Sequence, residues 1–177
     1  DLSKVTGISY HDSEGNTVHN PTRIYIKDLN DLPYPARHLV PLDKYNFQMD
    51  VPGMGMIPAS SVITSRGCPF SCTFCATPGN WGRKVRAHSP EYVLDEIQFC
   101  IDKYGAKAIW FYDDIFNFNP KRVNEICDLI LKRKMDFKWF CEIRVDVMTK
   151  PLLEKMASAG LFHLGFGVEA GSERVRK

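Results

Sequence analysis

The sequence lacks a long apolar run and a strong excess of charge of either sign. No apolar stretch approaches the roughly 20 residues that cross a bilayer, and no apolar segment of a signal peptide follows the first residues. The formal net charge of +2 gives no reason to expect nucleic acid or an acidic membrane surface as a partner. The sequence therefore predicts a cytoplasmic protein with no membrane span and no nucleic-acid partner.

The sequence also lacks an initiator methionine and the dispersed cysteines of a disulfide-rich secreted domain. The chain has no initiator methionine, so we expect an internal piece of a longer protein. Its 177 residues, 44% of them hydrophobic and 25% charged, suit one globular domain with a sizeable core. The six cysteines are not spread as in a secreted disulfide framework, because three of them lie between positions 68 and 75. This clustering predicts a metal site in a reducing compartment.

Residues 1–60 are rich in turns and prolines. The segment 12–16, which contains Gly15, separates two short extended stretches and predicts a small hairpin. The prolines after Leu32 predict an extended connector, and Met54 and Met56, between glycines, are predicted to lie in a loop. We interpret residues 1–60 as an irregular connector segment without catalytic residues.

From residue 61 onward, predicted strands and helices alternate. Helices are expected to begin after the N-cap residues Ser89, Asn119 and Thr149. The predicted buried strands are 61–65, 106–112, 137–143 and 162–168. Four strands that alternate with three helices give a parallel sheet with outer helices, so we predict an α/β fold. A complete barrel typically takes over about 200 residues, and four strands cannot close one. Residues 61–177 are therefore expected to form either an open sheet or the first part of a TIM-like βα barrel, and we favour the second.

Three cysteines, Cys68, Cys72 and Cys75, follow the first predicted strand directly. This position is the edge of a βα series at which ligands bind. Thiolates bind iron–sulfur clusters or zinc, but structural zinc usually takes four ligands in two pairs, and no second pair follows at short range. Three thiolates on a [4Fe–4S] cluster would leave one iron open for a small molecule. We therefore predict that these cysteines hold such a cluster.

The other three cysteines follow a different pattern. Cys127 falls on the apolar face of a predicted helix, Cys141 falls inside a predicted strand, and Cys100 lies beside apolar helix positions. Free cysteine often behaves as a small buried hydrophobe, so we expect core positions for Cys127 and Cys141. Cys100 has no partner motif.

The spacing of Cys68, Cys72 and Cys75, with Phe74 just before the last, resembles the signature of the radical S-adenosylmethionine superfamily. The resemblance implies a TIM-like barrel and places Phe74 at the cofactor. It also implies that the methionyl amine and carboxylate of S-adenosylmethionine chelate the fourth iron. The reduced cluster would give an electron, and a 5′-deoxyadenosyl radical would take a hydrogen atom from a small-molecule substrate.

The resemblance extends to acids at the ends of later strands. Asp113 and Asp114 occupy the place of a motif that holds the methionyl amino group, and the sequence leaves open which one does so. Helix capping and loop solvation are the alternative for this pair. Glu169 lies in a Gly-Val-Glu stretch that resembles one in many family members, which implies contacts to the ribose hydroxyls or the amine.

Charged residues also end the third predicted strand. Alternation places Glu142, Arg144 and Asp146 on one face. An acid and a base together suit a zwitterionic methionyl group, so we expect Glu142 and Arg144 to bind the cofactor. The alternative is a buried ion pair that holds the rim of the barrel.

The segment 28–36 resembles the connector that precedes the radical domain in proteins with an N-terminal cobalamin-binding domain. Anaerobic magnesium-protoporphyrin monomethyl ester cyclases and cobalamin-dependent methylases belong to that branch. The resemblance implies a cobalamin-associated cyclase or methyltransferase, with an electron donor such as flavodoxin or ferredoxin and with cobalamin available to the full-length protein.

We therefore expect an enzyme fragment that is incomplete and inactive alone. The alternative is a non-catalytic zinc-binding or regulatory module, in which His88 joins the three clustered cysteines. A half-barrel exposes sheet edges and apolar helix faces, so we also expect the isolated fragment to self-associate.

Overall fold

The computed structural model describes residues 1–176, which form a curled sheet with helices packed on it. The strands are β1 Ser9–His11, β2 Thr17–His19, β3 Gln48–Val51, β4 Gly55–Val62, β5 Ser65–Arg66, β6 Arg86–Ala87, β7 Ala108–Phe111, β8 Lys138–Glu142 and β9 Leu161–Gly165. The α-helices are α1 Leu42–Tyr45, α2 Thr77–Trp81, α3 Pro90–Tyr104, α4 Pro120–Arg133, α5 Lys150–Ser158 and α6 Glu173–Arg176. Short 3₁₀ turns lie at Leu2–Lys4, Leu29–Asp31, Arg37–Leu39 and Val145–Val147.

The main sheet has five strands in the order β3-β4-β7-β8-β9. The strands β4, β7, β8 and β9 are parallel, and the helices α3, α4 and α5 connect them in turn. The strand β3 pairs antiparallel with β4 at one edge. This arrangement confirms the predicted α/β fold, a partial TIM-like barrel with four parallel strands.

Local sequence signals determine where the three connecting helices begin and end. Ser89 Oγ accepts the backbone N–H of Tyr92 at 3.2 Å, and Asn119 Oδ1 accepts that of Lys121 at 3.0 Å. The helix α3 ends at Gly105, which adopts φ of +66°. The predicted starts of the three helices are therefore confirmed. Among the helices of residues 1–176, none has both the length and the apolar character required to cross a bilayer.

The core lies between the sheet and the helices. The rings of Phe111 and Trp139 are fully buried there with their centroids 5.3 Å apart, and Trp139 Nε1 donates to the carbonyl of Ala159 at 2.8 Å. Each such side chain contributes about 1.5–3 kcal/mol by leaving water. The same core contains the three unclustered cysteines: Cys100, Cys127 and Cys141.

The first and last predicted strands had wrong boundaries. The strand predicted at 61–65 is β4, which begins at Gly55 and ends at Val62, so Met56 lies in a strand rather than in a loop. Gly55 and Pro58 indicated a turn, yet Pro58 is accommodated in the strand near the sheet edge. The partner β3 was not predicted. The last strand, predicted at 162–168, ends at Gly165. The division of the chain at residue 60 stays a prediction.

The connector segment packs against α3 and β4. The predicted hairpin is present as β1 and β2. Further along, Arg37 forms a buried ion pair with Glu96 at 2.6 Å and donates to the carbonyl of Ser61 at 2.9 Å. Tyr92 donates its hydroxyl to the carbonyl of Leu32 at 2.7 Å. These contacts fix the connector beside the first parallel strand.

Candidate active site

A short antiparallel ladder closes the base of the cysteine loop. The strands β5 and β6 pair Ser65 with Ala87 and Arg66 with Arg86, and the loop 67–85 lies between them. Because β5 follows β4 after two residues, the loop begins at the carboxyl end of the first parallel strand. This is the location that the sequence predicted for the cysteines.

The loop has little room at its first residue. Gly67 adopts φ of +99°, and a Cβ atom there would lie 2.7 Å from the carbonyl oxygen of Lys84. The backbone N–H of Cys75 donates to the carbonyl of Cys72 at 3.2 Å, which makes a turn between the two. All three thiols are free; Cys68 and Cys72 are half-buried and Cys75 is exposed.

Arg144, just beyond the end of β8, contacts this loop. Its Nη1 lies 3.7 Å from the Sγ of Cys72, and its guanidinium carbon lies 3.9 Å from the centroid of the Phe70 ring. Its Nε and Nη2 donate to the two carboxylate oxygens of Asp146 at 3.0 and 2.6 Å. Arg144 and Asp146 therefore form an ion pair that is partly exposed rather than buried, and the guanidinium faces a cysteine.

A buried asparagine holds the backbone of Arg144. Asn117 Nδ2 donates to the Arg144 carbonyl at 2.8 Å, and its Oδ1 accepts the Arg144 N–H at 3.0 Å. Asn117 is fully buried. The sequence analysis did not identify this residue; the only signal was a second asparagine two positions before the N-cap Asn119.

Asp113 is buried beneath the loop. Its Oδ1 accepts the backbone N–H groups of Thr64 and Ser65 at 2.6 and 2.9 Å, and its Oδ2 accepts the Thr64 hydroxyl. Burial raises the pKa of Asp113, while these hydrogen bonds and the nearby Arg122 oppose that rise. Arg122, which sequence reasoning also missed, donates to the carbonyl of Thr64 at 3.3 Å. Asp113 thus fixes the backbone of the residues that follow β4.

Asp114 is exposed and faces the other way. Its Oδ1 accepts the hydroxyl of Thr77, at the start of α2, at 3.1 Å. It lines a cavity of about 260 Å³ beside the cysteine loop. The cavity is lined by Ile63, Ser65, Trp81, Trp110, Tyr112, Asp113, Asp114 and Glu142. Acidic groups and aromatic rings thus meet beside the loop.

The remaining predicted residues are distributed unevenly. Glu142 lines the cavity, whereas Arg144 and Asp146 lie beyond the end of β8, where the chain turns at Val145–Val147. Phe74 is 69% exposed on the loop. Glu169 is exposed at φ of +65°, four residues beyond β9, and is not among the residues that line this cavity.

His88, the alternative zinc ligand, is buried. Its ring stacks on Tyr92 with centroids 4.2 Å apart, and burial, followed by the charges of Arg66 and Arg122, lowers its pKa to about 4. Among residues 1–176, no three histidine, cysteine or acidic side chains stand together in a metal-binding arrangement, so holding a cluster would require the thiols to converge. Three soft donors on one loop, with the cation of Arg144 beside them, fit an anionic iron–sulfur cluster.

Comparison with known proteins identifies the class to which this site belongs. The model of the radical SAM superfamily matches residues 62–177. The chain therefore belongs to that superfamily, and its relatives in the superfamily are enzymes. Family membership favours an enzyme over the zinc-binding module.

Individual relatives are larger than this chain. An uncharacterized methyltransferase from Pyrococcus horikoshii is 33% identical over 99% of the chain, which spans 36% of that relative. The anaerobic magnesium-protoporphyrin IX monomethyl ester cyclase of Rubrivivax gelatinosus is 28% identical over 98% of the chain, which spans 30% of it. The chain thus spans about a third of these two relatives.

Two solved structures share the fold. The cobalamin-dependent radical enzyme OxsB, with aqua-cobalamin bound, superimposes with a TM-score of 0.77 at 28% identity, over 99% of this chain and 26% of that one. The methyltransferase TsrM from Kitasatospora setae, with tryptophan and a SAM analogue bound, gives a TM-score of 0.75 at 17% identity, over 98% of this chain and 34% of that one. At that identity the second likeness concerns the fold alone.

Proposed function

We propose that this chain is the part of a cobalamin-associated radical enzyme that binds a [4Fe–4S] cluster and S-adenosylmethionine. The observation that carries the proposal is the three-cysteine loop at the carboxyl end of β4, next to a cavity with acidic and aromatic walls. Cys68, Cys72 and Cys75 would hold three irons. When bound, the cluster supplies the electron that cleaves S-adenosylmethionine to a 5′-deoxyadenosyl radical.

The two neighbouring aspartates differ in their availability for the cofactor. Asp113 already accepts three hydrogen bonds from Thr64 and Ser65, whereas Asp114 is exposed at the cavity. We therefore assign the methionyl amino group to Asp114, with Glu142 as a second acceptor in the same cavity.

The roles of Glu169 and Phe74 rest on the family resemblance. Glu169 would accept hydrogen bonds from the ribose, and Phe74 would lie against the cofactor. For Arg144, the charge pattern alone suggests a contact with the zwitterionic methionyl group. The half-exposed state of Arg144 and the exposure of Phe74 and Glu169 leave these side chains accessible.

The reaction that we propose is methyl transfer to a small molecule, with cobalamin held by another part of the full-length protein. The uncharacterized methyltransferase of Pyrococcus horikoshii and the cytidylyl-2-hydroxyethylphosphonate methyltransferase of Streptomyces wedmorensis, at 33% and 30% identity, support it. Oxidative cyclisation is the second candidate, because the Rubrivivax gelatinosus cyclase matches 98% of the chain.

We also propose an acidic electron donor, such as a flavodoxin or a ferredoxin. Residues 51–90 contain no aspartate or glutamate and four cations, so the segment that carries the cysteines is basic. Lys84 is exposed on the cysteine loop. Charge complementarity accelerates the encounter of such a surface with an acidic protein.

The isolated chain should be inactive in the full reaction, whether methyl transfer or cyclisation, and it should self-associate. In the main sheet of residues 1–176, β3 and β9 are edge strands. Unpaired strand edges favour association between copies. Light scattering of the 177-residue chain should show dimers or larger species, and a clean monomer would contradict this proposal.

Anaerobic reconstitution tests the proposed function. The protein should take up roughly four irons per chain with broad visible absorption. Addition of S-adenosylmethionine should change the electron paramagnetic resonance of the reduced cluster, and 5′-deoxyadenosine should form under dithionite. About one zinc per chain without visible absorption would support the zinc-binding module instead.

A further inference from the structure

We propose that Arg144 is a positioning residue that holds the cysteine loop and raises the reduction potential of its cluster through Cys72. The inference rests on the proposed function, since it assumes a cluster on the three cysteines. It assigns Arg144 to the sulfur side of the site rather than to the methionyl group of S-adenosylmethionine.

The geometry places the guanidinium on two residues of the loop at once. Nη1 approaches the Sγ of Cys72 at 3.7 Å, and the guanidinium carbon lies 3.9 Å from the centroid of the Phe70 ring. The second distance is well inside the ~6 Å range of cation–π contacts. Cys72 lies two residues beyond Phe70, so one side chain spans the middle of the loop.

The orientation of this side chain is fixed by two other residues. Asp146 accepts Nε and Nη2 in a bidentate pair at 3.0 and 2.6 Å, and Asn117 holds the Arg144 backbone through both its carbonyl and its N–H. The planar fork of arginine therefore presents one edge to Asp146 and Nη1 to the sulfur.

The same arrangement disfavours a contact with the cofactor carboxylate. Two of the three guanidinium nitrogens donate to Asp146, and the acid of Asp146 would repel a second carboxylate at that edge. The nitrogen that remains is directed at Cys72. Arg144 is thus better placed to serve the cluster than the methionyl group.

A cation and a hydrogen-bond donor at a ligand sulfur stabilise the reduced cluster, which carries one more negative charge. Removal of the guanidinium should therefore lower the reduction potential. The guanidinium of Arg144 also stacks on Phe70 and keeps the loop near β8. A variant without this guanidinium should therefore release iron more readily.

The test is a redox titration, monitored by electron paramagnetic resonance, of the reconstituted wild-type protein and of the variants R144Q, R144K and D146N. R144Q should shift the oxidised-to-reduced equilibrium about tenfold, a midpoint about 59 mV more negative for one electron. R144K should fall between R144Q and the wild type, because it keeps the charge but loses the fork. D146N should shift less than R144Q, because the loss of the Asp146 negative charge opposes the effect of a less firmly held Arg144.

The control is R133Q, which removes a cation from the ion pair between Arg133 and Asp95. Arg133 ends α4, which leads to the amino end of β8, whereas the cysteine loop begins at the carboxyl end of β4. It should leave the potential unchanged.

Cluster loss from R144Q with retention in R144K would support the proposal. An unchanged potential in R144Q and R144K would overturn it, and a tenfold loss of S-adenosylmethionine affinity alone would assign Arg144 to the cofactor. If the wild-type protein took up no iron on reconstitution, the proposed function itself would be contradicted.

Discussion

The two sets of cysteines are chemically identical and lie in opposite environments. Three are fully buried between the sheet and the helices: Cys100, Cys127 and Cys141. Burial raises the pKa of Cys127 to about 12 and also raises that of Cys141. The loop set is half-buried or exposed, with the cation of Arg144 beside Cys72. Because metals bind thiolates, these environments favour the loop cysteines over the buried ones as the proposed metal ligands.

The sharpest test of this comparison exchanges one cysteine from each set. Cys72→Ala should reduce the iron content after reconstitution from roughly four to below about one per chain, and 5′-deoxyadenosine formation should disappear. Its stability should change little, since the side chain is half-buried on a loop. Elemental analysis and chromatography of the products measure the two effects.

Cys141→Ala is the matched control. It should keep its iron and lose about 1 kcal/mol of unfolding free energy, because it leaves a small cavity in the core. Urea denaturation of both variants measures this difference. If Cys141→Ala lost iron while Cys72→Ala kept it, the assignment of the two sets would be reversed.

The two neighbouring aspartates extend the comparison from thiols to carboxylates. Asp113→Ala leaves the N–H groups of Thr64 and Ser65 without their buried acceptor, so it should cost about 1–3 kcal/mol of unfolding free energy. Asp114→Ala should leave stability nearly unchanged and weaken S-adenosylmethionine binding about tenfold.

Urea denaturation and calorimetric titration of the reconstituted protein distinguish the two effects. If Asp114→Ala and the wild type bound S-adenosylmethionine with equal affinity, Asp114 would not be a ligand of the cofactor. A stable Asp113→Ala variant that no longer binds the cofactor would exchange the assigned roles.

The parts of the fold that follow from local chemistry could be predicted from the sequence. The caps at Ser89, Asn119 and Thr149 are signals within a few residues, and all three lie where the pattern placed them. The cysteine loop could be located because parallel strands bring their carboxyl ends to one edge. That rule fixes the neighbourhood of a residue but not the direction of its side chain.

Contacts between distant segments could not be predicted in this way. Arg144 and Cys72 are separated by 72 positions, and Asn117 and Arg144 by 27. Whether Asp113 or Asp114 faces the core depends on how the chain leaves β7. The pairing of β3 with β4 was hidden because Pro58 and the glycines around it have the composition of a turn.

A smaller effect is expected from the basic surface of the cysteine loop. Lys84→Glu should slow 5′-deoxyadenosine formation roughly fivefold when reduced flavodoxin is the donor, because it reverses an exposed charge at the encounter surface. Formation driven by dithionite should be unchanged. Lys103→Glu, at the end of α3, makes the same charge change away from the loop and should have no effect with either reductant. Equal rates for the two variants with flavodoxin would show that the donor does not use this surface.

The smallest effect concerns the buried imidazole that packs beside the base of the loop. Burial lowers the pKa of His88 to about 4, with contributions from Arg66 and Arg122 that the charge of Asp28 partly opposes. The folded state therefore keeps this ring neutral, while the unfolded chain binds a proton near pH 6.5. Between these values the unfolded state holds more protons, so stability should fall as the pH falls from about 6.5 to about 4. In urea denaturation at several pH values, the free energy of unfolding of His88→Gln should fall less steeply with decreasing pH than that of the wild type. The control is His38→Gln, at an exposed histidine, which should show the same pH dependence as the wild type. Coincident profiles for all three proteins would mean that the burial of His88 does not govern its protonation.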